Sequence, residues 1–207
     1  MALKTDSKPA YPADFLPLIL ASASPYRQRQ LKTLNMPFQT APANIEENQQ
    51  PDEGFEAMAG RLSQQKAYAI AKRFPQHLII GSDQVATQGS TLLRKAGNFD
   101  QACKQLRLAS GSTVLFHTGL TLLNTQTDHY QQSVETVKVT FRHLTDTQIE
   151  TYLSLEQPFD CAGSFKAEGL GISLISKIEC RDFNALIGLP LMALVDMLEK
   201  EGISLPL

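Results

Sequence analysis

The chain has 207 residues, 43% hydrophobic and 19% charged, with a formal net charge of −2. These values suit a soluble globular protein of one domain, or one domain with two lobes, able to bury a substantial core. The slight acidic excess argues against a general nucleic-acid or membrane-surface binder, although a local Lys/Arg cluster could still hold a small anion.

Residues 1–17 include Lys4, Lys8 and several prolines but no apolar stretch that could form a signal-peptide core. They read as a flexible N-terminal arm, leaving 18–207 as a single domain. Leu18-Ile19-Leu20 is a short apolar run that suits a buried strand. It ends in Ser22-Ala23-Ser24-Pro25-Tyr26-Arg27, where a helical pattern carrying Leu31 and Leu34 begins and runs to Asn35-Met36-Pro37. A helix start exposes unpaired N–H groups and the positive end of the helix dipole, and Arg27 adds a planar donor fork, so this junction suits a phosphate. Ser24-Pro25 also reads as an ordinary N-cap followed by a favoured first helical residue.

Residues 37–42 look extended, and 43–53 form an acidic, Asn/Gln-rich loop containing Glu46 and Glu47. An amphipathic helix follows from Phe55 to Phe74, with Phe55, Met58, Leu62, Ala69 and Ile70 on one face, until Pro75 ends it. Residues 77–83 form a second apolar strand ending in Gly81-Ser82-Asp83. Asn98 caps a helix through Leu108, closed by Gly111. Thr113–Leu123 and Val134–Arg142 read as strands, the second with Val137, Val139 and Phe141 alternating. Thr145-x-x-Gln148 is a capping box for a helix to Leu153. The Gly-rich stretch 161–175 suits a strand or hairpin, and a last helix starts at Pro190.

No window reaches membrane-spanning length. Cys103, Cys161 and Cys180 are odd in number and far apart, so a reducing cytoplasm is expected. His77, His117, His129 and His143 match no metal-binding spacing. Alternating strands and helices indicate an α/β fold with a mixed sheet, and the polar ends of the first two strands are expected to face one cleft.

Asp83 is the leading catalytic candidate. At a strand end it could ligate Mg²⁺ or take a proton from water; it could equally cap a turn. Lys66, Lys95 and Lys166 each read singly as solvated surface lysines. Together with Arg27 they could clamp a triphosphate, with Glu46 or Glu47 adding a second carboxylate to a metal. The chain lacks GxxxxGK[ST], GxGxxG and GxSxG patterns, which disfavours P-loop, dinucleotide and serine-elbow enzymes.

Several segments in order resemble the Maf family: Ser22 to Arg27, Gln65-Lys66-Ala67, Ile80 to Gln84, Cys161 to Gly169, and Gly188-Leu189-Pro190-Leu191. The match extends from about Leu18 to Gly202. The resemblance implies an elongated mixed β-sheet flanked by helices, with two lobes around a cleft, as in inosine triphosphate pyrophosphatases. It implies hydrolysis of a nucleoside triphosphate to the monophosphate and pyrophosphate with a divalent cation, Mg²⁺ or Mn²⁺. Asp83 would be catalytic, Ser22, Arg27, Lys66 and Lys95 would hold phosphate, and Glu47 would join Asp83 at the metal. The expected partner is a nucleotide, not a nucleic acid or membrane, with a homodimer left open.

Tyr26, Gln84 and Glu168 resemble the subgroup acting on 7-methyl-GTP. Tyr26 could stack on the cationic 7-methylguanine ring, and Glu168 could accept the two hydrogens of the guanine edge. The alternatives are a dTTP/UTP or broad-specificity pyrophosphatase, and a nucleotide-binding regulator of division with little catalysis. Three departures from the family pattern stand out. Gln28 replaces a usual second arginine, Asn44 stands where glutamate is common, and Arg94-Lys95-Ala96 replaces Gly-Lys-Pro, which predicts a looser connection there.

Overall fold

A computed structural model describes residues 15–205. Its strands are β1 (Leu18–Leu20), β2 (Phe38–Thr40), β3 (Leu78–Gln88), β4 (Thr91–Leu93), β5 (Thr113–Asn124), β6 (His129–Phe141) and β7 (Ile175–Glu179). They form one mixed sheet ordered β2-β1-β3-β5-β6-β7, with β4 paired to β3 off that path. β1 is apolar and buried throughout, as a strand covered on both faces must be, and it pairs in parallel with both β2 and β3. The remaining ladders are antiparallel.

Side-chain caps place the starts of α1 (Pro25–Lys32), α3 (Phe99–Ala109) and α4 (Asp146–Glu156). In α1 the Ser24 hydroxyl accepts the Arg27 N–H and Pro25 occupies the first helical position. Asn98 caps α3, and Thr145 with Gln148 forms both halves of a capping box on α4. The other helices are α2 (Phe55–Ala71), α5 (Phe183–Ile187) and α6 (Leu191–Lys200).

Two regions of the core flank the middle of the sheet, where Met58, Ala59, Leu62 and Val85 form a smaller cluster. In one, Leu18, Leu20, Leu78 and Ile80 pack with Leu194 and Leu198 of α6, while Ile19 and Ile79 face Ala67 and Ile70 of α2. In the other, Ala86, Phe116 and Val139 pack with Leu106 of α3, Leu153 of α4 and Phe165. β3 contributes to both. Its edge is paired with β1 only through Ile80 and with β4 only from Ala86, whereas β5 accompanies it without a break. Residues 81–85 therefore form an open stretch of strand edge between the two cores.

Three expectations need correction. β3 does not stop at Asp83 but continues to Gln88, because its β5 ladder persists past the polar residues. Residues 161–175 form no hairpin and hold strand only at Ile175, where β7 begins: Gly163 and Ser164 turn the chain with φ of 67° and 55°, and a 3-10 helix covers Leu170–Leu174. The connection through Lys95 is not loose. Lys95 forms a β-bridge with Ala162, and the Gln105 amide donates to the Arg94 carbonyl at 2.8 Å. Most of the expected N-terminal arm, residues 1–14, lies outside the described residues. Phe15 and Leu16 pack against the first core, and the Pro17 carbonyl accepts the Leu78 N–H at 2.9 Å.

Candidate active site

A cleft of about 600 Å³ opens over the unpaired edge of β3. Ser22, Tyr26, Arg27, Glu47, Lys66, Asp83, Gln84, Lys95 and Glu168 all line it. Glu46, the other acidic candidate in its loop, is not in the lining.

The centre of the cleft depends on how closely α2 lies on the sheet. A Cβ on Gly81 would fall 2.1 Å from the Ser63 carbonyl oxygen, and one on Gly119 would fall 2.1 Å from that of Ala59. Only glycine admits the helix backbone at these two points. The descent carries Lys66 to β3, where its Nζ lies 2.5 Å from Asp83 Oδ1 and 2.6 Å from Glu47 Oε1. Lys66 is thus a buried cation shared by two carboxylates and not the solvated surface lysine expected of it singly. Burial raises the Glu47 carboxyl, but the Lys66 hydrogen bond and charge, with Lys95 and Arg27 further off, hold it below its ordinary value on balance.

Glu47 reaches the cleft because its loop is fastened to α2. Arg61 donates to both carboxylate oxygens of Glu53, at 2.5 and 2.7 Å, and to the Asn48 carbonyl at 3.0 Å. That planar fork fixes both position and direction.

The β1–α1 junction forms the adjoining wall. Ser22 Oγ accepts the Ser24 N–H at 3.1 Å and an Arg27 terminal N–H at 3.4 Å. Arg27 Nε donates to the Gly188 carbonyl at 2.8 Å, an oxygen that also accepts the buried Ser82 hydroxyl at 2.9 Å. Burial lowers the Arg27 pKa, and only Asp83 and Glu47 pull it back. Gln28 donates to the Ala23 carbonyl at 3.4 Å and is absent from the lining, and Arg29 stacks on Tyr26 at 5.0 Å, so neither replaces the missing phosphate donor.

Tyr26, also on α1, faces acidic groups in the same lining. The Tyr26 hydroxyl donates to Asp160 Oδ1 at 3.5 Å, and exposed Glu168 lines the same region. Burial, then the neighbouring Cys161, Asp160 and Glu168, raises the Tyr26 pKa, so the ring carries a neutral phenol. Burial likewise pushes the Cys161 thiol up to about 12, which leaves it a poor nucleophile. Gln84 lies in the lining with its amide NH₂ bonded to Thr118 Oγ1 and to the Ala185 and Leu186 carbonyls, all within 3.1 Å. Those bonds tie β3 to α5 and leave only the amide oxygen for a ligand. Lys166, expected as part of a phosphate clamp, is paired instead with Glu156 of α4.

The sequence matches the Maf-like protein family over residues 17–201. The chain belongs to that family. All the cleft residues named above fall inside the matched stretch of this Maf-like chain. A protein named 7-methyl-GTP pyrophosphatase from Pseudomonas fluorescens is 50% identical over 191 residues, covering 92% of this chain and 100% of that protein. Proteins of the same name from Pseudomonas aeruginosa and Nitrosococcus oceani are 49% and 47% identical, covering 91% and 89% of this chain and 98% and 93% of their own. A solved HAM1 protein from Coxiella burnetii is 15% identical with a TM-score of 0.40, covering 63% of this chain and 75% of that one. The α/β assignment rests on the strand order above.

Two features of the Maf-like cleft escaped the sequence reading. Lys66 continues the row Met58-Leu62 at four-residue spacing, so its burial was visible as a cation on an apolar helix face. Asp160 gave no comparable signal, since only the fold brings it to Tyr26.

Proposed function

We propose that this Maf-like protein hydrolyses 7-methyl-GTP to 7-methyl-GMP and pyrophosphate. The observation that carries the reading is a single cleft that brings Arg27, Lys95 and the buried Asp83 together with a tyrosine flanked by the carboxylates Asp160 and Glu168. That combination matches a ligand with a polyanionic tail and a cationic base. The named relatives at about half identity support the same substrate.

Residues fit a divalent cation. Glu47 and Asp83 offer hard carboxylate oxygens converging on one ammonium, and among the described residues no cluster of three or more metal-binding side chains exists. Two protein carboxylates completed by substrate phosphate is the usual arrangement for Mg²⁺. When bound, the metal would offset charge on the phosphates and favour attack at phosphorus. Asp83 would orient water and take its proton as the water oxygen bonds to the α-phosphorus. The α–β bridging bond then breaks, and both electrons leave with pyrophosphate. Arg27 and Lys95 would meet the charge on the phosphate tail, with Lys66 holding Asp83 and Glu47 apart from one another's repulsion.

At the base end, Tyr26 would stack on the ring and Glu168 would accept from the guanine edge. No helix among the described residues is long and apolar enough to cross a membrane, and we place the enzyme in the cytoplasm with its nucleotide. Pyrophosphate release measured with Mg²⁺ across GTP, 7-methyl-GTP, dTTP and UTP tests the assignment. Preference for 7-methyl-GTP is expected. Equal or better turnover of dTTP and UTP refutes the substrate, and binding without turnover refutes the enzyme.

A further inference from the structure

We infer that Glu156 is a positioning residue for base selection: it neutralises Lys166 beside Tyr26 and so lets the cleft prefer a cationic base to a neutral one. The inference rests on the proposed 7-methyl-GTP reading. Lys166 Nζ stands 5.9 Å from the Tyr26 ring centroid, close to where a stacked base would lie. Bare, that ammonium would repel a ring bearing positive charge. Glu156 lies outside the cleft lining, on α4, and its Oε1 pairs with Lys166 Nζ.

The pair is built in, not fortuitous. Glu156 Oε2 accepts the Leu170 N–H at 2.7 Å, and the hydroxyl of Tyr152, one helical turn earlier, accepts the Lys166 N–H at 3.0 Å. Gly169 passes so close that a Cβ there would lie 2.4 Å from Glu156 Oε2. α4 thereby holds both ends of the segment that carries Glu168. The two charged side chains are only 24% and 12% exposed, so solvent screens them incompletely. The remaining charges around the ring are Arg29, stacked at 5.0 Å, and the acidic Asp160 and Glu168. With Lys166 cancelled by Glu156, the acidic groups outnumber Arg29, and a cationic base is favoured.

The test is kcat/KM for 7-methyl-GTP divided by that for GTP, measured in wild type, Glu156→Gln, Lys166→Met and the double variant, with the thermal midpoint of each. The Glu156→Gln amide keeps an oxygen for the Leu170 N–H but loses the counter-charge. The selectivity ratio is expected to fall about five- to tenfold in Glu156→Gln, to rise several-fold in Lys166→Met, and to return near wild type in the double variant. High salt should shrink all three differences. A merely structural role would slow both substrates alike and leave the ratio fixed. An unchanged ratio in Glu156→Gln, with wild type still preferring 7-methyl-GTP, overturns the inference alone. If Glu156→Gln does not fold, an unchanged or lowered ratio in Lys166→Met overturns it. A wild type that does not distinguish the two nucleotides overturns the substrate reading beneath it.

Discussion

Gly81→Ala should damage stability and catalysis together, because one close contact sets both. The added Cβ would sit 2.1 Å from the Ser63 carbonyl oxygen, 2.9 Å from the Ala67 nitrogen and 3.1 Å from Ala67 Cβ, against an ordinary contact of 3.4 Å or more. Helix α2 would have to retreat by about 1.3 Å, and two of the three opposing atoms are backbone, so no side-chain rotation relieves the clash. A retreat of that size would stretch the 2.5 Å contact between Lys66 and Asp83 beyond hydrogen-bonding range. Overpacking and the loosened buried pair should together cost about 3 kcal/mol, lowering Tm by roughly 6–12 °C for a chain of this size. Misplacing a reacting group by about 1 Å should lower kcat/KM by about 10²-fold. Thermal unfolding and steady-state pyrophosphate release measure the two effects. Gly60→Ala on the same helix is the control: its Cβ meets only side-chain atoms, Val134 Cγ2 at 3.3 Å first, and the change should stay within about 1 kcal/mol. A Gly81→Ala protein as stable and active as wild type would show that α2 does not depend on this contact.

Asp83→Asn should lower kcat by about 10²–10⁴-fold with a small change in KM; turnover at the wild-type rate would remove Asp83 from the reaction. Glu168→Gln should reduce the preference for 7-methyl-GTP over GTP by about tenfold, read as a ratio of kcat/KM values, and an unaltered ratio would exclude a contact with the base edge. Arg61→Lys keeps the charge but loses the bidentate grip on Glu53, so the Mg²⁺ concentration for half-maximal activity should rise several-fold as the Glu47 loop loosens. The Arg61 hydrogen bond holds the Glu53 carboxyl below its ordinary 4.5, so its stabilisation is complete above that pH and disappears as pH falls through the lowered folded value. Urea unfolding of Glu53→Gln should therefore differ from wild type at pH 7 and converge with it towards pH 3; a constant difference would exclude the linkage.

The helices were the most legible part of the sequence because their caps are local chemistry. Ser24-Pro25, Asn98 and Thr145 with Gln148 mark starts that need no distant partner. β4, with three residues, and α5, with five, are too short to display a period and passed unread. β3 was cut short because Asp83 and Gln84 break its apolar run, although the β5 ladder continues across them. The stretch 161–175 looked extended by composition, yet its conformation depends on Gly163, Ser164 and remote bonds to Tyr152 and Glu156. The candidate site residues were assembled from family motifs, while the partners that aim them were not. Arg61 and Glu156 stand outside those motifs, eight and ten residues from Glu53 and Lys166, and the Gly188 carbonyl, though inside one, meets Arg27 across 161 residues, which no local pattern records.

The uninterrupted β3–β5 ladder beneath the cleft has a mechanical consequence. Two bodies can close like jaws only where the chain between them bends at little cost, and here ten consecutive register pairs, Leu78↔Asn124 to Thr87↔Leu115, cross the dividing line. Flexing that span would strain the ladder where Asp83 sits. The perimeter costs less to open, because the Glu47 loop is tied to α2 by side chains and not by a ladder. The cleft is built as a stiff bowl whose rim is held by separate side-chain ties.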